Sequence, residues 1–409
     1  MSSIDSASLH SVKEGKLRFM SVYRTRPVFK HTQSVHEIKP GVIRLGEFYK
    51  DMGVEIEDDD GAILKLIQYM DGTRTVPELF RLLKETYDHI RLDEVEAAVY
   101  ELHNLGFLYD YSALERSSLT DLERHRFKAN LDYFSFYSTF QSSPWTMQEK
   151  LKSAHVTIIG IGGFGSSLLF HLGGLGVTQV KVVDFDTVDL SNLNRQMLFN
   201  EADIGKLKID VAKDFMARFY SDMKVETVHK QILSVEDAAS VIQGTDLVIL
   251  AADQPLFLLQ RWINKACVNL QTPFVVGGIN VISGFLLTVS PLETGCIDCL
   301  HIQQSERYPD YVQSVSNILR FDNQIPNSAI VSNLMIICGM ISSEIFRYFT
   351  GVGPLVSKGT MINIDFMTLE KEKAIDLSQR HAACPTCGSC NEEHSVIHVF
   401  EELGIAQNI

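Results

Sequence analysis

The chain has 409 residues, 45% hydrophobic and 22% charged, with a net charge of −14. That length and balance fit two or three globular domains with a sizeable core, and the acidic surplus argues against nucleic acid as a main partner, because no basic excess is there to neutralise phosphates. No apolar run approaches the roughly 18 residues of a membrane span, and the N-terminal stretch MSSIDSASLHSVKEGK has no apolar centre of signal-peptide type, so no membrane partner and a cytoplasmic location are expected.

Residues 1–35 are polar and irregular and read as an N-terminal extension. Residues 36–110 read as a small α+β unit. The run from His36 to Gly61 resolves into short strands broken at Pro40-Gly41, Met52-Gly53 and Asp60-Gly61. AILKLIQYM has helical spacing and stops at Asp71-Gly72. TVPELFRLLKETY has Thr75 as N-cap with Pro77 in the first turn, and LDEVEAAVYELHNLG closes at Gly106. GFLYDY reads as a last strand, completing a winged-helix pattern. Residues 111–150 read as a linker and dimer-contact segment, basic and then aromatic in RHRFKANLDYFSFY.

Residues 151–409 form an α/β domain. Apolar strand-like runs recur at VTIIG, VKVVDF, KVETVHK, DLVILAAD, PFVVGGIN and GFLLTVS, with helical stretches between several of them. That alternation predicts a Rossmann-like, mainly parallel sheet covered on both faces, with a mixed C-terminal half. The first strand runs into Gly160, Gly162, Gly163 and Gly165 and then a helix. Strand, glycine turn and helix in that order make a nucleotide site credible. Glycines admit phosphates close to the backbone, and the helix N-terminus offers unpaired N–H groups. Asp184 ends the second strand, where a carboxylate can accept from ribose hydroxyls.

Two C-x-x-C pairs, Cys296/Cys299 and Cys384/Cys387, supply four thiolates suited to tetrahedral zinc. Turn-forming flanks, Thr294-Gly295 and Gly388, suit zinc knuckles, and a redox role would require one pair to start a helix in a thioredoxin-like unit, which the surroundings do not support. Cys390 and His381 are alternative ligands in the last knuckle. Cys267 and Cys338 lie in apolar helical runs and read as core residues.

The block DTVDLSNLNRQMLFNEADIGKLKIDVAKDF, with Asp184-x-Asp186, Ser191-Asn192, Arg195-Gln196 and Lys208, resembles the ubiquitin-activating-enzyme superfamily (the ThiF/MoeB/HesA group). The resemblance implies ATP as cofactor, with Asp184 on the ribose, Asn192, Arg195 and Lys208 around the triphosphate, and Gln196 supporting the loop. Fixed cations there would neutralise charge developing on phosphate oxygens. It also makes Asp253 a Mg²⁺ ligand, although a helix N-cap is a competing role for that residue. Four clustered cysteines are a structural zinc site in the superfamily's small members.

Within that superfamily, SPWTMQEKLKSAHVTIIG, LVILAADQPLFLLQRWINKACVNLQTPFVVGGIN and TGCIDC resemble the microcin C nucleotidyltransferase branch and its peptide-cyclising relatives. DG-x-R-T-V-x-E-L and L-x-x-L-G-F-L resemble PqqD-like leader-peptide recognition domains, which take a precursor peptide as an added strand. The implied protein is a homodimer that binds a ribosomally made precursor peptide through its N-terminal domain and adenylates a carboxylate or carboxamide on it. One departure stands out. Where the superfamily has R-[YF]-x-R-[NQ], with the second arginine reaching the partner subunit's ATP, this chain has Arg126-Phe127-Lys128-Ala129-Asn130, so either Arg126 or Lys128 compensates for Ala129 or that contact is lost. No cysteine lies between Cys299 and Cys338, which counts against the thioester relay of sulfur-carrier adenylyltransferases. A non-catalytic leader-binding partner is the third reading.

Overall fold

A computed structural model describes residues 22–46, 53–321, 329–389 and 394–406. The chain divides into two compact units, 1–150 and 151–409. Among the described residues no helix is long and apolar enough to cross a membrane.

In the N-terminal unit, strands β2 (Val35–Lys39), β3 (Val42–Leu45) and β4 (Val54–Glu57) form an antiparallel meander. Three helices follow, Ala62–Tyr69, Val76–Lys84 and Leu92–Asn104. The middle one starts as its sequence predicts, with the Glu78 carboxylate accepting from the Thr75 N–H at 2.8 Å. The third ends at Gly106 in a left-handed conformation, φ 84°, with the Phe107 N–H returning to the Leu102 carbonyl at 2.9 Å. Leu45, Leu79, Leu83, Val99 and Leu108 are buried in the core these elements share.

The last strand, β5 (Leu108–Asp110), does not join the meander. It pairs antiparallel with β1 (Pro27–Phe29), inside the segment that reads as irregular. A three-residue strand is too short to show alternation. The segment 111–150 is mostly helical, over Asp121–Arg126, Lys128–Tyr137 and the start of Pro144–Ser153. Buried Trp145 meets Tyr111 edge-on at 5.3 Å, which ties this segment into the unit. Buried Lys30 donates to the Gly106 and Phe136 carbonyls at 2.6 and 2.9 Å, and burial lowers its pKa to about 8.

The C-terminal unit is built on an eight-stranded sheet in the order β13-β12-β11-β10-β9-β6-β7-β8. Its strands are β6 (His155–Ile159), β7 (Gln179–Asp184), β8 (Lys224–His229), β9 (Leu247–Leu250), β10 (Phe274–Ile279), β11 (Ser283–Val289), β12 (Thr360–Asp365) and β13 (Lys371–Asp376). Neighbours from β8 to β10 are parallel, while β11, β12 and β13 join antiparallel. The six predicted strands are β6 to β11, and the mixed half lies where expected. The sheet is Rossmann-like, and all four residues of β9 are buried, as in a parallel strand covered on both faces.

From β6 the chain winds outward to β7 and β8, then returns to β9 on the other side of β6. Strand order therefore reverses between β6 and β9. The crevice outside their carboxyl ends is where open α/β sheets bind ligands.

Candidate nucleotide crevice and cysteine cluster

The glycine loop is shaped by contacts that leave no room for side chains. Gly160 has φ 91°, and a Cβ there would stand 2.7 Å from the Ala252 Cβ at the end of β9. A Cβ on Gly165 would stand 1.8 Å from the Gly160 carbonyl oxygen, so the helix Gly163–Leu175 can start against the strand only with glycine at this position. No side chain caps that helix at Gly162. Its first N–H groups are the kind of donors that phosphates occupy at such ends.

Asp184 is buried at the end of β7 and accepts from the Ile161 N–H at 2.6 Å and the Asp186 N–H at 2.8 Å. Its carboxylate thus pins the glycine loop, and each oxygen keeps capacity for a second donor. Asp186 in turn receives the buried Lys208 ammonium at 2.8 Å. The side chain of Asn192 accepts from the Asp189 N–H at 3.2 Å and stabilises the turn Leu190–Asn192. Hydrogen bonding from Ser191 lowers the pKa of Asp189 in that turn. Arg195 donates through one nitrogen to the Ser191 carbonyl at 3.0 Å and to Asn194 at 2.8 Å, while its Cγ lies 3.7 Å from the Cβ position of Gly163. Gln196 is buried with its Nε2 3.9 Å from the Cβ position of Gly162, and its Oε1 has no hydrogen-bond partner. A buried, unpaired amide oxygen beside a phosphate-type loop is the sort of group a ligand satisfies.

Asp253 is exposed, just beyond β9. It does not cap the next helix, because Leu258–Leu270 starts from Phe257 with no side-chain cap, which removes the competing role. Arg126 and Lys128 belong to the N-terminal unit. Arg126 ends a helix with its guanidinium over the Phe127 ring, and Lys128 pairs with Asp132 at 2.5 Å.

The four predicted thiols converge. The sulfurs of Cys296, Cys299, Cys384 and Cys387 all lie within 4.8 Å of one another and are buried. The Cys296–Cys384 and Cys299–Cys387 separations are 3.7 and 3.3 Å, far longer than the roughly 2.05 Å of a disulfide. Thiolates about 2.3 Å from a tetrahedral zinc stand about 3.8 Å apart, so the residues fit that ion. The Cys299 thiol is drawn down in pKa by hydrogen bonding from Cys296 and the other two thiols. His381 stays outside the set. Its ring faces Glu306 at 3.3 Å, while its backbone N–H donates to the Cys299 sulfur at 3.4 Å. Cys390 lies outside the described residues. Cys267 and Cys338 are buried, and burial raises their thiol pKa values, that of Cys338 to about 12, in keeping with a core role.

Several residues around the cluster escape motif reading. Asn264 donates to the Cys296 sulfur at 3.5 Å and accepts from the Ile297 N–H at 3.0 Å. Asp298, inside the first C-x-x-C, binds Arg261 at 2.7 and 3.2 Å and takes a hydrogen bond from Thr386, inside the second, at 2.6 Å. Such outer partners orient metal ligands. The only sequence signals are the polar residues between paired cysteines and the i, i+3 spacing of Arg261 and Asn264.

His301, on the helix Ile297–Arg307 that opens with the first pair, is buried, and burial lowers its pKa to about 4. Its Nδ1 lies 2.7 Å from the Tyr311 hydroxyl, and its ring centroid is 4.7 Å from Phe400 and 5.6 Å from Phe257.

The ThiF family is matched over residues 137–386. The adenylyltransferase and sulfurtransferase MOCS3 of Culex quinquefasciatus is 35% identical over 37% of this chain, and the match spans only 34% of that longer protein. The HesA protein of Nostoc sp. is 27% identical over 59% of this chain and 88% of its own length. Among solved structures, Escherichia coli MccB, determined with ATP, superposes with a TM-score of 0.69 over 88% of this chain and 99% of its own, at 19% identity. At that identity the likeness concerns the fold. MccB is a microcin C7 biosynthetic enzyme and has also been solved with N-formylated MccA.

Proposed function

The chain belongs to the ThiF family, and on that premise we propose that it uses Mg·ATP to adenylate a carboxylate or carboxamide of a ribosomally made precursor peptide. The observation that carries the reading is the switch-point crevice, where an uncapped helix start, the unpaired Gln196 oxygen and the cations Arg195 and Lys208 belong to one loop system. The N-terminal meander and helices, read as a PqqD-like clamp, supply the peptide half of the proposal, and the fold shared with MccB supports it.

In this mechanism the triphosphate lies on the glycine loop, with the N–H groups at the start of Gly163–Leu175 facing phosphate oxygens. Asp184 accepts from the ribose while continuing to hold Ile161. A substrate carboxylate oxygen attacks the α-phosphorus, the bond to the bridging oxygen breaks, and pyrophosphate leaves. Arg195 and Lys208 neutralise the charge on the phosphate oxygens, and Lys208 exchanges part of its pairing with Asp186 for the nucleotide. Asp253 and phosphate oxygens would hold Mg²⁺, whose chemistry is to screen the leaving pyrophosphate. In a homodimer, either Arg126 or Lys128 would reach the partner's nucleotide, or Ala129 removes that contact. The four thiolates would hold structural zinc.

The product either keeps its AMP or loses it when a backbone N–H or side chain attacks the adenylate and closes a ring. Mass spectrometry of the precursor peptide after incubation with the protein, Mg²⁺ and each nucleoside triphosphate tests the reading. A gain of one nucleoside monophosphate identifies nucleotidyl transfer, whereas loss of water with AMP release identifies a cyclase. An unchanged, bound peptide would overturn the catalytic reading in favour of a leader-binding partner. The second reading, a sulfur-carrier adenylyltransferase, is favoured by the MOCS3 relative and opposed by the cysteine-free stretch between Cys299 and Cys338.

A further inference from the structure

Between Asp253 and the helix it precedes, the backbone adopts a conformation with a cost. Phe257 has φ 62° and ψ −43°, and the Leu258 N–H bonds to the Leu256 carbonyl at 2.8 Å. An i to i+2 bond around a residue of this conformation is a γ-turn of the rare, strained hand. An aromatic residue stays in such a well only where surrounding contacts over-determine it, and strain of this kind concentrates at functional sites.

The contacts here come from the other end of the unit's chemistry. The Phe257 ring meets the His301 ring edge-on at 5.6 Å and Phe400 at 6.0 Å. His301 is only 2% exposed and is itself braced by the Tyr311 hydroxyl at 2.7 Å and by Phe400 at 4.7 Å. It lies on the helix Ile297–Arg307 that begins at Cys296 and carries Cys299. Its Nε2 has no hydrogen-bond partner. Isosteric apolar residues are ordinarily better tolerated than a buried polar group with an unmade bond. The flat ring against Phe257, and not the unpaired nitrogen, is therefore what this position supplies.

We propose that His301 is a positioning residue: it clamps the Phe257 γ-turn and so sets the Asp253 loop for Mg·ATP. The inference rests on the proposed role of Asp253.

The test measures binding of a fluorescent N-methylanthraniloyl-ATP to the full-length protein as Mg²⁺ is varied, together with turnover and metal content. His301→Leu is expected to raise the half-saturating Mg²⁺ concentration at least 5-fold. Turnover at saturating Mg²⁺ should stay within 2-fold and bound zinc should be unchanged. His301→Phe, which keeps a flat ring against Phe257, should restore the Mg²⁺ dependence to within 2-fold of the parent. Phe257→Gly relieves the strain and removes the clamped ring, so it should reproduce the His301→Leu shift without touching the histidine. Unchanged Mg²⁺ dependence in both His301→Leu and Phe257→Gly, or an equal effect of Leu and Phe at position 301, would overturn the proposal. Asp253→Asn separates the two levels. If it shifts the Mg²⁺ dependence and the His301 and Phe257 variants do not, the positioning role alone fails. If Asp253→Asn shifts nothing, the nucleotide-site reading falls with it.

Discussion

The crevice at the ends of β6 and β9 and the cysteine cluster draw on the same sheet but handle polar groups in opposite ways. Directly around the thiols the partners are closed on one another, Asp298 to Arg261 and Thr386, and Asn264 to both Cys296 and Ile297, while the unpaired ring nitrogens of His301 and His381 touch none of these bonds. In the crevice the groups are incompletely used. The Gln196 oxygen is unpaired, the helix start is uncapped, and Asp253 is exposed. A closed set spends its polar groups on holding the chain together, whereas an open one holds them in reserve for a ligand. Substitutions in the first should therefore be read in stability, and in the second in binding and rate.

Four experiments sharpen or break that contrast. The largest effect is expected from Cys384→Ser, which should remove the bound metal and leave a chain that unfolds well below the parent. Structural zinc contributes about 10–16 kcal/mol in small peptides, so even a fraction of that is a large share of the roughly 5–15 kcal/mol that ordinarily holds a domain folded. Metal analysis and thermal denaturation check it, and a metal-free variant with parental melting would end the structural reading. Next comes Asp298→Asn, which leaves the buried Arg261 charge without its counterion, at a cost of about 3–5 kcal/mol in denaturant unfolding.

Lys208→Ala belongs to the other region. It should lower turnover about 10²–10³-fold while melting changes little, because its partner Asp186 is half-exposed and can return to water. A large melting loss there would show that the two regions do not divide as argued. The smallest effect is expected from Gln196→Leu. Removing an unpaired buried oxygen should leave stability unchanged or raised, yet weaken nucleotide binding about 5- to 30-fold, the equivalent of about 1–2 kcal/mol by calorimetry.

What could be read in the sequence follows the same division. The glycine loop, Asp184, Arg195, Lys208 and both C-x-x-C pairs are legible because short spacing and residue type alone restrict what they can do. Strands such as β6 and β9 are legible because burial on both faces makes them nearly continuous apolar runs, whereas β8, KVETVH, lies at the sheet edge and shows itself only by its β-branched residues. Strand β13, KEKAID, is exposed and polar at the sheet edge, and β12 pairs with it through a register shift between Met361 and Ile362, so neither announces itself. The γ-turn at Phe257 was illegible for another reason. Aromatic residues do not signal positive φ, and the rings it meets, His301 and Phe400, are distant in sequence. In the same way, β1 is visible only through its partner β5.

The Asp298–Thr386 hydrogen bond and the paired sulfurs each join positions 88 residues apart. During synthesis the first pair of cysteines therefore leaves the ribosome long before the second, and strands β6 to β11 have all been made while only two of the four thiols are present. On the proposed zinc reading, loading of the ion would be a closing event, reached only once the second pair has been translated. A chain halted before Cys384 would carry an intact nucleotide loop but no means of locking the helix on which His301 stands.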